Sequence, residues 1–160
     1  MNTIAEDGFE IFTEVLTPEE CHDLLSALQV ERASGRAGSR DILQNDFVRR
    51  IANDERLRDI AARSLGENAV AYKAILFDKR NETNWLVPWH QDRVLPMKKK
   101  FVDPEWGPWT QKGRVDFAHA PAWAMNRVVA LRIHLDDSTS ENGPLRVIAG
   151  SHRYGVLDQS

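Results

Sequence analysis

The chain has 160 residues, and its 21 lysines and arginines against 24 aspartates and glutamates give a formal net charge of −3. Hydrophobic residues make up 42% and charged residues 28%, values ordinary for one folded domain, which excludes disordered and collagen-like chains. Without a basic excess, nucleic acid and anionic membranes are not expected as partners. A small molecule or another protein is the expected partner.

The sequence predicts a cytoplasmic protein. Its single cysteine, Cys21, cannot form an internal disulfide, and residues 1–7 lack the basic and apolar regions of a signal peptide. No apolar run approaches the roughly 20 residues that cross a bilayer. Neither an internal repeat nor a linker divides the chain, so one domain is predicted over residues 1–160.

The predicted helical part of the chain covers residues 17–66. Thr17 lies three residues before Glu20, which is a capping-box start. An apolar stripe at helical spacing follows and predicts a helix that faces the core: Cys21, Leu24, Leu25 and Leu28. His22 falls outside this stripe and is predicted to be exposed.

Two more helices are predicted before the pattern changes near residue 67. The first is centred on apolar residues 47–51, and the second runs from Asn53, its predicted N-cap, to Gly66, its predicted end. The segment before them, residues 31–40, contains two glycines and is predicted as a loop.

The predicted β part covers residues 68–160, where the hydrophobic pattern becomes two-fold. Residues 70–77 are largely apolar on both faces, as in a strand covered on both sides. The other predicted strands are residues 85–90, 114–117, 127–135 and 145–148. Helices followed by short strands predict an α+β fold with a mainly β core, and they favour an antiparallel sandwich or jelly roll over a parallel sheet.

His90 and Asp92 form the most informative spacing in the sequence. In a strand, residues i and i+2 face the same side, so an imidazole nitrogen and a carboxylate oxygen can meet at one point. They would supply two thirds of a 2-His-1-carboxylate site, which holds Fe(II) and leaves positions open for a 2-oxo acid and O₂. The same spacing fits a strand-end histidine hydrogen-bonded to its neighbouring aspartate. Gln91 points away by alternation and is assigned no metal role.

Arg132 and His134 share one face of the predicted strand at 127–135, opposite an apolar face. That face is either solvated or part of a barrel mouth, where the Arg132 guanidinium could pair with the carboxylate of a 2-oxo acid. Lys98–Lys100 are interpreted either as a solvated loop or as a basic mouth that guides an acidic substrate. The tryptophans of residues 106–109 are interpreted either as a lid or as a hydrophobic plug.

Three motifs in this order resemble the phytanoyl-CoA dioxygenase family: WHQD at 89–92, LRIHLDD at 131–137 and NGPLRVIAGSHR at 142–153. The resemblance runs over nearly the whole chain and implies a double-stranded β-helix, a cupin-like jelly roll wrapped by N-terminal helices. It implies Fe(II) held by His90 and Asp92, and a dioxygenase that hydroxylates a small organic substrate while 2-oxoglutarate and O₂ become succinate and CO₂. Related halogenases lack the carboxylate of Asp92, so the resemblance favours hydroxylation.

The chain departs from that family near its C-terminus. In the family a second metal-binding histidine and a 2-oxoglutarate-binding arginine follow the GSH-type motif, whereas this sequence ends at Ser160 without them. An incomplete jelly roll with open sheet edges is therefore expected. The remaining histidines are candidates for a third ligand, and Arg132 is the candidate co-substrate contact. These histidines are His119, His134 and His152.

Two functions follow from these observations. The first is an iron- and 2-oxoglutarate-dependent dioxygenase acting on a small, acidic substrate, with weak Fe(II) binding and little turnover expected where only two protein ligands are present. The second, from another class, is a non-catalytic binding or assembly module that associates with itself through open sheet edges. The sequence does not identify the substrate.

Overall fold

The structure, a computed structural model, describes residues 2–33, 38–79 and 87–157. Its α-helices are α1 Ile4–Asp7, α2 Pro18–Ala27, α3 Gln29–Ala33, α4 Asp46–Ala52, α5 Glu55–Leu65 and α6 Ala122–Met125. Its strands are β1 Gly38–Arg40, β2 Ile75–Phe77, β3 Val94–Met97, β4 Trp109–Lys112 and β5 Val115–His119. Short 3₁₀ helices lie at Ile42–Gln44, Ser140–Asn142 and Ser151–Tyr154.

The predicted helix signals are largely confirmed. At the start of α2 the Thr17 hydroxyl accepts a hydrogen bond from the backbone N–H of Glu20, and the Glu20 carboxylate accepts one from the backbone N–H of Thr17. Helix α5 ends at Gly66 as predicted, but its N-cap is Asp54. The predicted cap, Asn53, instead ends the preceding helix α4.

The hydrophobic core lies among the N-terminal helices. Its buried members are Leu24, Leu28, Ile42, Val48, Ile51 and Leu57. Ala74, Leu76 and Leu135 pack against this cluster and bring the later chain onto the helices. The stripe predicted for α2 is confirmed, because Leu24 and Leu28 are its buried positions, Cys21 is half-buried and His22 is exposed.

The described strands form two antiparallel sheets. Strands β1 and β2 pair with Gly38 opposite Phe77. In the second sheet β5 lies between β3 and β4, with Val94 opposite His119 and Trp109 opposite Ala118. The loop predicted at residues 31–40 is wrong at both ends, because α3 extends to Ala33 and β1 occupies Gly38–Arg40. Pairing with β2 gives β1 its backbone partners.

Several strand predictions are wrong in extent or in kind. Only Ile75–Phe77 of the predicted strand 70–77 forms a ladder, whereas the prediction at 114–117 corresponds to β5. The described residues 127–135 and 145–148 form no strand. Residues 85 and 86 of the prediction at 85–90 lie outside the described residues, and 87–90 form no strand. A two-fold pattern shows which face a strand would bury, but a strand also needs a neighbour that supplies hydrogen bonds.

Helices followed by antiparallel sheets agree with the predicted α+β class. Across the described ranges the two sheets do not close into a barrel, so the double-stranded β-helix stays a prediction, as does the division into one domain. The helices of the described chain are all too short or too polar to cross a bilayer.

Candidate metal-binding site

His90 and Asp92 lie in the segment that leads into β3. The Nε2 atom of His90 is 3.7 Å from the Oδ1 atom of Asp92, although residues 90–92 form no strand, the element on which the prediction from their spacing depended. Both are open to solvent, with 50% of the His90 side chain and 95% of the Asp92 side chain exposed. A ligand arriving from solvent can therefore reach both groups.

A backbone carbonyl fixes the hydrogen position on His90. The Nδ1 atom lies 2.9 Å from the carbonyl oxygen of Pro88. Because a carbonyl oxygen can only accept, Nδ1 carries the hydrogen and donates it. In the neutral imidazole the lone pair is then on Nε2, the atom that faces Asp92. Histidine ligands of metals are commonly oriented by such a bond from the other ring nitrogen.

The donor types of the pair suit a divalent cation, although two neighbouring positions of a six-coordinate site would bring the atoms to about 3 Å of one another. A separation of 3.7 Å is too long for a hydrogen bond between His90 and Asp92, so the structure does not join them as a hydrogen-bonded pair. Ligating nitrogen and oxygen atoms lie about 2.0–2.2 Å from metals of this class, and both atoms can lie within that distance of one ion. The carboxylate also offsets one positive charge of the ion.

The structure does not bring a third protein ligand to this point. Within the described residues, no group of three or more histidine, cysteine, aspartate or glutamate side chains is arranged to hold a metal. His119 lies in β5 opposite Val94. The His152 Nε2 atom lies 3.3 Å from the carbonyl oxygen of Ala5. His152 is therefore engaged with the N-terminal helix.

His134 lines a different surface from His90. An open groove of about 680 Å³ separates α2 from residues 134–137, and its lining includes His134, His22 and Glu14. The neighbouring Leu135 packs against the helical core and fixes this segment beside α2. Arg132, the predicted co-substrate contact, is exposed.

Two residues that alternate with the metal pair contact distant parts of the chain. The guanidinium carbon of Arg146 lies 5.0 Å from the centre of the Trp89 ring. The Gln91 amide donates to the carbonyl oxygen of Gly155 at 2.7 Å and accepts from the backbone N–H of Leu157 at 2.8 Å. The sequence gives no sign of these contacts except the alternation that turns residues 89 and 91 away from His90.

The charge of Asp92 also acts on Tyr72. Partial burial raises the pKa of the Tyr72 phenol, and the negative charge of Asp92 raises it further. About half of the Tyr72 side chain remains exposed. The effect of Asp92 places Tyr72 within electrostatic reach of the candidate site, a proximity that their separation along the sequence does not indicate.

The predicted lid segment belongs to an aromatic cluster beside the three-stranded sheet. Phe101 makes edge-to-face contacts with Trp106 and Trp109, at ring-centre distances of 5.3 and 5.1 Å. Trp106 makes a third such contact with Trp123 at 6.0 Å. Contacts of this kind favour the plug interpretation of residues 106–109. Trp85 lies outside the described residues.

Comparison with protein-family models gives a match to "Phytanoyl-CoA dioxygenase (PhyH)" over residues 4–159. Comparisons with curated proteins and with solved structures give no match. The family match covers both His90 and Asp92 and almost the entire chain.

Proposed function

The chain belongs to the phytanoyl-CoA dioxygenase family, and we propose from this premise that it hydroxylates a small organic substrate, using Fe(II) and 2-oxoglutarate. Members of that family are oxygenases of this type. In the proposed reaction one oxygen atom of O₂ enters a C–H bond of the substrate, and the other enters 2-oxoglutarate, which leaves as succinate and CO₂. The observation that carries the proposal is the convergence of His90 Nε2 and Asp92 Oδ1, 3.7 Å apart.

Each residue of the pair has a separate part in this proposal. His90 would supply the Nε2 lone pair of its neutral form, and its Nδ1–H bond to the Pro88 carbonyl sets the tautomer and orients the ring. Asp92 donates a carboxylate oxygen and lowers the net charge of the centre. Bound Fe(II) supplies the coupling of O₂ reduction to oxidation of 2-oxoglutarate. With these two protein ligands, a bound divalent metal would keep positions open for co-substrate, water and a third protein ligand.

Charge supports an acidic co-substrate and substrate. We propose that Arg132, whose side chain is exposed, pairs with a carboxylate of 2-oxoglutarate. Lys98, Lys99 and Lys100 are exposed just after β3, a strand that begins two residues beyond Asp92. Positive charge close to a site raises the local concentration of anions.

The single half-buried cysteine agrees with a reducing compartment, and we propose a cytoplasmic location.

An anaerobic titration tests this function. Fe(II) is added to the protein with 2-oxoglutarate, and the visible charge-transfer absorption of the ternary complex is recorded. We expect a band that is lost in His90→Ala and in Asp92→Ala. The matched control is His22→Ala, which removes an exposed histidine from α2 and should retain the band. A band that survives in both site variants would contradict the assignment of the metal pair.

The exposed apolar surface favours a second function, an assembly module. Leu145, Ile148 and Tyr154 are exposed by 62%, 56% and 74%. The first two belong to the predicted strand at 145–148, and Tyr154 follows it. Apolar side chains concentrated in one segment are typical of surfaces that another chain covers. We propose self-association as the function that applies if the metal pair does not bind Fe(II).

Sedimentation separates the two functions. If the segment mediates self-association, wild-type protein sediments as an oligomer and Leu145→Glu sediments as a monomer. The control is Val102→Glu, which places the same charge at a fully exposed apolar position outside this segment. A wild-type protein that is monomeric at every concentration contradicts the assembly function.

A further inference from the structure

Gln91 makes a two-point contact with the backbone that follows the GSH-type motif. Its Nε2 group donates to the Gly155 carbonyl at 2.7 Å, and its Oε1 atom accepts from the Leu157 N–H at 2.8 Å. Both distances are short for amide hydrogen bonds. The side chain thus presents one donor and one acceptor to residues 155–157, as a neighbouring strand would do. We call this contact the Gln91 clamp.

The clamp substitutes for a missing ladder. Residues 90–92 form no strand in the structure, so no cross-strand hydrogen bonds fix their backbone. The nearest backbone anchor is the bond from Ala120 N–H to the Arg93 carbonyl, at 2.8 Å. On the other side of the pair, Trp89 stacks under Arg146. Gln91 is the anchor that lies between His90 and Asp92 themselves.

The partner backbone has a conformation that depends on glycine. Gly155 has φ 64° and ψ −133°, a combination that residues with a Cβ atom rarely adopt. This turn follows the 3₁₀ helix Ser151–Tyr154 and brings the Gly155 carbonyl and the Leu157 N–H to the same side chain. The contact joins groups 64 and 66 residues apart in sequence.

We propose that Gln91 is a positioning residue for the metal pair, holding the backbone between His90 and Asp92 so that their donor atoms converge. The inference rests on the proposed metal-binding role of those two residues. Convergence of donor atoms depends on the φ and ψ angles of the intervening residue. Groups that orient metal ligands without touching the metal typically contribute 10- to 100-fold to affinity.

Metal binding and the Gln91 clamp should also strengthen each other, which can be measured separately from affinity. If the clamp favours the metal-binding arrangement, a bound metal must favour the clamp by the same factor. The Leu157 N–H is the hydrogen that the clamp protects, so a bound metal should slow its exchange with solvent. Binding to the folded state slows exchange throughout the chain, so a role confined to general stability would slow exchange at Leu157 no more than at amides of the helical core.

The experiment compares wild-type protein with Gln91→Met, which keeps the side-chain length and removes both hydrogen bonds. Mn(II) is the probe, its affinity is measured by calorimetry, and amide exchange at Leu157 is followed with and without Mn(II). We expect about tenfold weaker binding in Gln91→Met, and loss of the metal-dependent slowing at Leu157. The control is Gln44→Met, at an exposed glutamine of the helical part, which should behave as wild type.

A second variant keeps the test decisive if Gln91→Met folds poorly. Gln91→Asn retains the amide but is one methylene shorter, so it cannot reach both partners, and we expect the same two losses. Equal Mn(II) affinity in wild type and in a folded Gln91 variant would overturn the inference alone. Wild-type affinity no greater than that of His90→Ala would overturn the inference together with the proposed function, so the two failures are distinguishable.

Discussion

Arg56 at the start of α5 binds Glu20 at the start of α2 through two hydrogen bonds. Its Nη2 atom is 2.6 Å from Oε1 of Glu20, and its Nη1 atom is 3.0 Å from Oε2. The same Oε2 atom accepts the backbone N–H of Thr17 in the capping box. One carboxylate therefore both caps α2 and joins it to α5.

This arrangement predicts a loss of stability in acid. The Arg56 hydrogen bonds, followed by the Thr17 N–H, lower the pKa of Glu20 from 4.5 to about 2. The folded chain therefore binds fewer protons than the unfolded chain between these values. The contribution of Glu20 is complete above pH 4.5 and is lost as the pH falls toward 2. Urea unfolding at a series of pH values should show the free energy of unfolding falling with pH below 4.5. The slope of this free energy against pH should be smaller in Glu20→Gln.

Arg56→Met provides the matched test of the cause. Removing the guanidinium raises the pKa of Glu20 toward its ordinary value, so the slope below pH 4.5 should become smaller in this variant as well. Arg56 also donates to Asp54 and lowers the pKa of that carboxyl, so Arg56→Met should reduce the slope at least as much as Glu20→Gln does. The double variant should differ little from Arg56→Met, which already lacks both ion pairs. Equal acid slopes in wild type and in both single variants would refute this explanation.

Burial of Leu28 in the core of the helical part predicts that its truncation lowers the free energy of unfolding by an amount that does not depend on pH. Leu28 is 2% exposed and belongs to the buried cluster, so Leu28→Ala removes apolar contacts and leaves a cavity. We expect a loss of about 2–5 kcal/mol in the free energy of unfolding. Urea denaturation measures it, with Val30→Ala as the control at a position 82% exposed. A similar small effect in both variants would place Leu28 outside the core.

Local signals made the helices predictable. A cap and an apolar stripe lie within about eight residues of one another. Both signals concern interactions made by a single helix, so they can be recognised in a short stretch of sequence. The i, i+2 spacing of His90 and Asp92 is equally local, but the prediction drawn from it assumed a strand, and residues 90–92 form none. The start of α2 and its buried face are therefore the parts of the structure that the sequence predicts best.

Long-range contacts could not be predicted in this way. Gln91 contacts Gly155 across 64 residues, and His152 contacts Ala5 across 147 residues. Residues 127–135 alternate as a strand does but have no ladder partner in the described chain. The two-fold pattern reports only which side chains would be buried, whereas a ladder depends on hydrogen-bonding groups elsewhere in the chain. The positions of Arg132 and His134 depend on such a partner, so their proposed roles remain predictions.

The position of His152 predicts that it is not a metal ligand in this arrangement. Its Nε2 atom donates to the Ala5 carbonyl, and its Nδ1 atom lies against Gly8, so close that a Cβ atom there would be 2.5 Å away. Both ring nitrogens therefore face the N-terminal helix, and within the described residues His152 joins no group of three metal-binding side chains. His152→Ala should therefore leave Mn(II) affinity at the wild-type value, whereas His90→Ala should abolish specific binding. Calorimetry on the two variants makes the comparison. A large loss of affinity in His152→Ala would assign it to the metal centre instead.

His152 should instead contribute to the docking of α1, and Gly8 provides the means to measure it. Gly8 ends α1 with φ 81°, and a Cβ atom there would lie 2.5 Å from Nδ1 of His152. Gly8→Ala therefore forces the imidazole away from Ala5, in addition to the strain of about 1–2 kcal/mol from a positive φ. Gly113→Ala is the control for that strain, because its φ is 61° and a Cβ atom there meets nothing within 4 Å.

We expect Gly8→Ala to lower the free energy of unfolding by about 1 kcal/mol more than Gly113→Ala does, the usual contribution of one hydrogen bond. In the His152→Ala background the imidazole is gone, so the two glycine substitutions should cost the same. Urea denaturation of the four variants and their parents completes the double-mutant cycle. If the extra cost of Gly8→Ala persists without His152, the hydrogen bond between His152 and the Ala5 carbonyl does not hold in solution.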